Sequence, residues 1–280
     1  MRKVWKLGPA RLCCGYIHDI EYARRRNRPG NPGNPYVERP LHLELLRPAP
    51  EQGEKLPILL MVPGGGFREP KVKFRLPWLS PLAERGVLVV FVEYRGMEAA
   101  PLAGMVEDIR DAVRYLHNHG AVYGGDPDKI VLMGASAGGY LALQAAYSLP
   151  QVKGVIDLYG VVDFPTMAPG PDKETELRAS VPARLTGETE LSAILKKMEE
   201  NSVLHAVEAG GQLPPTLIAH GTADTIVSPE QSEMLYRALC KGGYQADLHL
   251  IKDARHADLH FFQKEMIDLY EEFLRTVTQS

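Results

Sequence analysis

At 280 residues, with 45% hydrophobic and 24% charged side chains, the chain has enough material for a sizeable core, either one large α/β domain or two small ones. The balance of apolar and charged residues is that of a soluble globular enzyme, and the reading favours one domain. A formal net charge of -3 at pH 7 gives no reason to expect a polyanion, which argues against nucleic acid, and no apolar run reaches the length that crosses a bilayer.

The amino terminus, Met1-Arg2-Lys3-Val4-Trp5-Lys6, has a basic start. Pro9, Arg11, His18 and Asp19 then interrupt any apolar region that a secretion signal would need. The three cysteines, Cys13, Cys14 and Cys240, form an odd set without metal-site spacing or a disulfide framework, so a reducing cytoplasm is the expected setting. Residues 24 to 28 hold four arginines, and 29 to 35 alternate proline, glycine and asparagine. Residues 1–40 are therefore expected to form a surface arm, with the arginines as a solvated charge run rather than an anion site.

From about residue 41 the pattern becomes regular. Leu41 to Leu46 alternates as an early edge strand, with His42 on its exposed side. Pro57 to Val62 predicts a buried strand running into Pro63-Gly64-Gly65-Gly66-Phe67. Three successive glycines leave backbone N–H groups unshielded, which suits stabilisation of negative charge on a carbonyl oxygen. The loop lacks the Gly-Lys-Ser/Thr ending of a P-loop and the spacing of a dinucleotide site. A helix over 78–85 and a buried strand over 87–92 follow, then Glu93-Tyr94-Arg95-Gly96, read as polar anchors of a strand end. A helix over 105–117 has apolar residues at helical spacing.

Ile130 to Met133 read as a central strand, continuous in hydrophobicity because both faces are covered. It stops at Gly134-Ala135-Ser136-Ala137-Gly138-Gly139 and resumes as a helix from Tyr140. Strand, small-residue turn and helix around Gly-x-Ser-x-Gly is the context of a nucleophile elbow, which projects the serine from the carboxyl end of the sheet. An ordinary helix-capping serine is the competing explanation.

After a strand over 152–159, residues 161–212 carry prolines, charges and a short amphipathic piece at 191–198, expected as a small cap rather than a second domain. A strand at 216–221, a helix at 229–241, a strand at 246–251 and a helix from about 258 to 276 complete the alternation. The expected fold is α/β, a mostly parallel sheet with helices on both faces.

A serine hydroxyl needs a base, and the base needs an acid to fix its tautomer. Asp224 and His256 follow successive predicted strands, and the chain order Ser136, Asp224, His256 is the one α/β-hydrolases use. Among nine histidines the rival is His260, placed in the terminal helix, whereas His256 lies in a loop at the sheet's carboxyl end. Asp253 and Asp258 are too near His256 along the chain to orient it and are read as turn and cap residues.

Gly64-Gly65-Gly66-Phe67, the 134–139 turn, Pro214 to Asp224 and the His256 loop together resemble the α/β-hydrolase superfamily. The nearest branch is that of bacterial esterases and lipases with a glycine-rich oxyanion loop, related to hormone-sensitive-lipase-like and prolyl-oligopeptidase-like enzymes. The resemblance runs from about residue 40 to the end, giving a domain over 41–280 with its cap at 161–212. It implies Ser136 as nucleophile, Asp224 and His256 as its partners, and Gly65, Gly66 and Ala137 as oxyanion donors. The family loop usually opens with histidine; Pro63 stands there instead and removes an N–H, so this loop must be braced differently.

The expected activity is that of a carboxylesterase for short to medium acyl groups, working through an acyl-enzyme on a small-molecule ester, with no metal or organic cofactor. The alternative is an amide hydrolase of the acylaminoacyl, prolyl peptidase or aryl formamidase kind. A ligand-binding protein without turnover is the third reading, although its usual mark, a missing triad member, is not found. Oligomeric state is not legible, and a homodimer stays open.

Overall fold

The computed structural model describes residues 14–27, 38–48, 55–169, 171–211 and 213–279. In chain order its strands are β1 (Gly15–Arg26), β2 (Glu38–Arg47), β3 (Leu56–Val62), β4 (Leu88–Val92), β5 (Gly125–Ala135), β6 (Val152–Leu158), β7 (Thr216–Gly221) and β8 (Ala246–Ile251). They form one sheet in the order β1-β2-β4-β3-β5-β6-β7-β8. β1 pairs antiparallel with β2, and β2 antiparallel with β4; every other neighbouring pair is parallel.

The central strands read as unbroken apolar runs because they alternate between two covered faces. In β3, Ile58, Leu60 and Val62 enter one core, and Leu59 and Met61 enter the other. Helices α1 (Leu76–Glu84) and α10 (Lys264–Thr278) cover the second face. The first face is covered by α2 (Leu102–His119), α3 (Ala137–Ala146) and α9 (Glu230–Lys241). α2 shows its core stripe at Met105, Val106, Ile109, Ala112, Val113 and Leu116, the i, i+3, i+4 pattern of an amphipathic helix. In α3 only Gln144 escapes full burial, so this helix is apolar all round. It is the central helix behind the turn that carries Ser136.

Between β6 and β7 the chain makes short helices: α4 (Phe164–Met167), α5 (Glu174–Ala179), α6 (Val181–Thr186), α7 (Leu191–Glu200) and α8 (Val203–Glu208). Their apolar residues, Phe164, Leu177, Leu185, Ile194, Met198 and Val203 among them, join the same core as α2 and α3 rather than enclosing one of their own. Ser180 and Ser202 start α6 and α8 by accepting backbone N–H bonds from Ala183 and Leu204.

The structure departs from the sequence reading mainly at its amino-terminal side. Residues 15–26, expected within a surface arm, are a sheet strand, and 41–46 is therefore a second strand flanked on both sides rather than an edge. β1 was hidden because it is itself the edge: only Tyr22 of its twelve residues is buried, and its register shifts twice against β2. The arginines 24 to 26 find acids within the chain, Arg24 with Glu21, Arg25 with Asp108 and Asp111, and Arg26 with Glu38. Met1 to Lys6, Cys13, Arg28 and the proline-glycine run 29–35 lie outside the described residues. His42, expected to be exposed, is half-buried with Nδ1 3.0 Å from Glu93 Oε2. The terminal helix divides into a 3-10 turn, Leu259–Phe262, and α10.

Candidate active site

Ser136 sits between the last residue of β5 and the first of α3, with φ 55° and ψ -123°. That backbone is costly for a residue with a Cβ and persists only when the surroundings over-determine it. Here they do. The Ser136 N–H donates to Leu158 O at 2.9 Å, and the Ser136 carbonyl accepts from Gly139 N–H at 2.9 Å and Val161 N–H at 3.4 Å. A Cβ on Gly138 would lie 2.1 Å from Val62 O, so the helix can start this close to the end of β3 only with glycine there.

The Ser136 Oγ is 2.9 Å from His256 Nε2, and His256 Nδ1 is 2.7 Å from Asp224 Oδ2. Because Nδ1 faces a carboxylate, it carries the proton, and Nε2 is left to accept from the serine hydroxyl. The Asp224 carboxylate is fully buried and held from several sides. Oδ1 accepts the N–H groups of Ile226 at 2.8 Å and Val227 at 3.0 Å, and His220 Nε2 lies 3.2 Å from Oδ2. His220 also donates Nε2–H to Val227 O at 2.9 Å, while its Nδ1 stands 2.7 Å from Ser232 Oγ. Burial lowers the His220 pKa below the usual 6.5, so it supports Asp224 as a neutral donor. Tyr159, with φ 42°, sets its ring edge-on to His256 at 5.0 Å and to Phe261 at 4.6 Å.

The glycine loop lies beside this group. Gly65 and Gly66 have φ 152° and 63°, values that residues with a side chain rarely adopt, and both are exposed. The brace that Pro63 made necessary comes from elsewhere in the fold. Tyr94, fully buried, donates its hydroxyl to Pro63 O at 2.8 Å, and Met97 N–H donates to Phe67 O at 2.8 Å. Phe67 itself is buried against the rings of Tyr140 and Phe164, at 5.7 and 5.9 Å. Ala137 is the first residue of α3, so its N–H has no carbonyl partner within the helix.

The other sequence candidates fall elsewhere. His260 is in the 3-10 turn, exposed, with Nδ1 2.6 Å from Asp258 Oδ1. Asp258 starts that turn, and the N–H groups of His260 and Arg255 hold its carboxyl down at about 2. Arg95 does anchor a strand end, through a buried fork of Nε and Nη2 on Asp108 at 2.9 and 2.7 Å. Sequence reasoning gave no role to His220, Tyr159 or Arg75. A histidine four residues before Asp224 was the available sign for the first; the others have no local signature. Among the described residues no cluster of three or more His, Cys, Asp or Glu side chains is placed to hold a metal, and no helix is long and apolar enough to cross a membrane.

Known proteins share this arrangement of elements. The family model BD-FAE matches residues 43–239. A protein of Oryza sativa subsp. japonica named "Probable isoprenylcysteine alpha-carbonyl methylesterase" is 28% identical over 242 residues, covering 80% of this chain and 56% of its own length. Esterase LipQ of Mycobacterium tuberculosis is 27% identical over 218 residues, covering 70% and 49%. The chain thus spans about half the length of these relatives. The propionate-bound structure of the Thermogutta terrifontis esterase Est2 superposes with a TM-score of 0.67 at 26% identity, over 89% of this chain and 96% of that one. With its sheet order, its helices on both faces and a family match over most of its length, the chain belongs to the BD-FAE family and has the α/β-hydrolase fold.

Proposed function

We propose that the protein is a serine hydrolase that cleaves carboxylic esters of short to medium acyl chains through an acyl-enzyme. The observation that carries this reading is the unbroken line from Ser136 Oγ through His256 to Asp224, at 2.9 and 2.7 Å. In the first half-reaction Ser136 Oγ attacks the ester carbonyl carbon as His256 Nε2 takes its proton. The carbonyl oxygen becomes an oxyanion, received by the N–H groups of Gly65, Gly66 and Ala137. Asp224 stabilises the imidazolium, which then protonates the departing alcohol oxygen. In the second half-reaction His256 deprotonates a water that attacks the acyl carbon, and the carboxylic acid leaves as Ser136 regains its proton.

The names of the relatives, a methylesterase and an esterase, favour esters over amides. The propionate-bound relative and the insertion of only short helices fit a short acyl group. As part of the same reading, the insertion over 161–212 acts as a cap on one hydrolase domain, and the cysteine pattern puts the protein in the cytoplasm. Matched p-nitrophenyl esters and anilides test the function. Ester turnover is expected to exceed anilide turnover and to vanish in Ser136→Ala; faster anilide turnover contradicts the assignment.

A further inference from the structure

The peptide unit joining Gly64 to Gly65 presents two groups on opposite edges, the Gly64 carbonyl oxygen and the Gly65 N–H. Whatever grips one edge aims the other. Arg75, the last residue of the 3-10 turn Val72–Arg75, donates Nη2–H to Gly64 O at 3.4 Å. Tyr94 grips the preceding peptide in the same way, by its carbonyl at Pro63. Two consecutive carbonyls of the glycine loop are thus tied by side chains from separate parts of the chain.

Arg75 is itself fixed. Its guanidinium lies 5.5 Å over the Trp78 ring, and Trp78 packs on Phe262 at 4.9 Å. Phe261, the neighbour of Phe262, carries the edge of Tyr159, which in turn touches His256. Two sets of ring contacts, joined through the backbone between Phe261 and Phe262, thus connect the side chain at the glycine loop to His256. The Arg75 charge reaches both the tyrosine that holds Pro63 and the one beside His256: burial pushes the hydroxyls of Tyr94 and Tyr159 up, and Arg75 pulls each part of the way back.

We propose that Arg75 is a positioning residue for the oxyanion loop, its guanidinium orienting and polarising the Gly64–Gly65 peptide so that the Gly65 N–H meets the charge developing in the transition state. This rests on the reading of Gly65 as an oxyanion donor. Negative charge on the N–H side makes the Gly64 carbonyl a better acceptor, so the two bonds strengthen each other. The 3.4 Å contact is long, as hydrogen bonds of a resting site often are, and shortens when that charge appears. Arg75 touches no reacting atom, and the effect falls on kcat rather than KM.

The test is Arg75→Gln beside Arg75→Lys, assayed with p-nitrophenyl acetate and with phenylboronic acid, whose tetrahedral serine adduct places an oxygen in the oxyanion position. Folded Arg75→Gln is expected to lose about tenfold in kcat, or about 1.4 kcal/mol. Its KM stays within about twofold and the boronate Ki rises by about the same tenfold factor, while Arg75→Lys recovers part of both losses. Wild-type kcat and Ki in Arg75→Gln, or a raised KM with kcat intact, overturns the proposal. A crystal structure of the phosphonylated wild-type protein gives an answer independent of any variant. Arg75 Nη2 is expected at about 2.9 Å from Gly64 O, and a guanidinium withdrawn from that oxygen refutes the assignment. If the wild-type protein neither hydrolyses esters nor reacts with a fluorophosphonate, the proposed function itself fails; an active, inhibitor-sensitive protein indifferent to Arg75 loses only this inference.

Discussion

The Asp224 carboxylate accepts hydrogen bonds in a fixed direction. Two backbone N–H groups hold Oδ1, so Oδ2 is left to face His256 Nδ1 and His220 Nε2. Asparagine at this position presents an amide that cannot accept on both edges, and the imidazole is then free to take the tautomer that puts a proton on Nε2. For Asp224→Asn, kcat on a p-nitrophenyl ester is expected to fall by about 10⁴ with the melting temperature little changed, the size of loss known for this substitution in serine proteases. Stopped turnover assays beside thermal melts check it; a loss below tenfold means Asp224 does not orient the base. The meeting of Ser136, Asp224 and His256 was legible in the sequence because each follows a strand and their order is distinctive. His220 was not, since a histidine in an apolar strand looks the same whether it supports a carboxylate or only fills the core. Arg75 was equally hidden, because its partner Gly64 is a backbone carbonyl that no side-chain pattern reports.

At the scale of elements, the elbow is held by its neighbour β6. The chain leaving β6 supplies Leu158 O and Val161 N–H to the Ser136 backbone, and Asp157 lies beneath this clamp. The Asp157 carboxyl is enclosed by glycines: a Cβ on Gly139 or Gly160 would come within 2.2 or 2.0 Å of Oδ1. Neither of its oxygens has a partner at hydrogen-bonding geometry among the described residues. Burial pushes its pKa from 3.8 up to about 7, opposed only in part by the Gly160 N–H. The folded state therefore binds a proton that the unfolded state has released between those values. The stability this proton gives is full below pH 3.8 and lost as pH rises through about 7, a change on the order of 4 kcal/mol. Denaturant unfolding at pH 5 and pH 8 is expected to show wild-type stability falling relative to Asp157→Asn, whose amide does not ionise. Parallel pH profiles for the two proteins contradict a proton on Asp157. The sequence marked the strand over 152–159 by its apolar run but gave no sign of a neutral acid inside it, because an aspartate near a strand end usually reads as a polar anchor.

For the whole molecule, the alternation of strands and helices from β3 onward was readable because parallel strands covered on both faces have no polar interruptions. The outermost antiparallel strand was not, since β1 buries only Tyr22 and is separated from its partner β2 by a proline-rich stretch. The fold gathers residues 65, 66, 136, 137, 224 and 256 from separate strand ends, and the account depends on their acting together on one carbonyl. Its most direct test is treatment of the intact, folded protein with a fluorophosphonate, followed by peptide mapping of the adduct. The account predicts a single covalent adduct on Ser136, absent from Ser136→Ala and much slower to form in His256→Asn. An adduct on a different serine, or none on a protein shown to be folded, contradicts it.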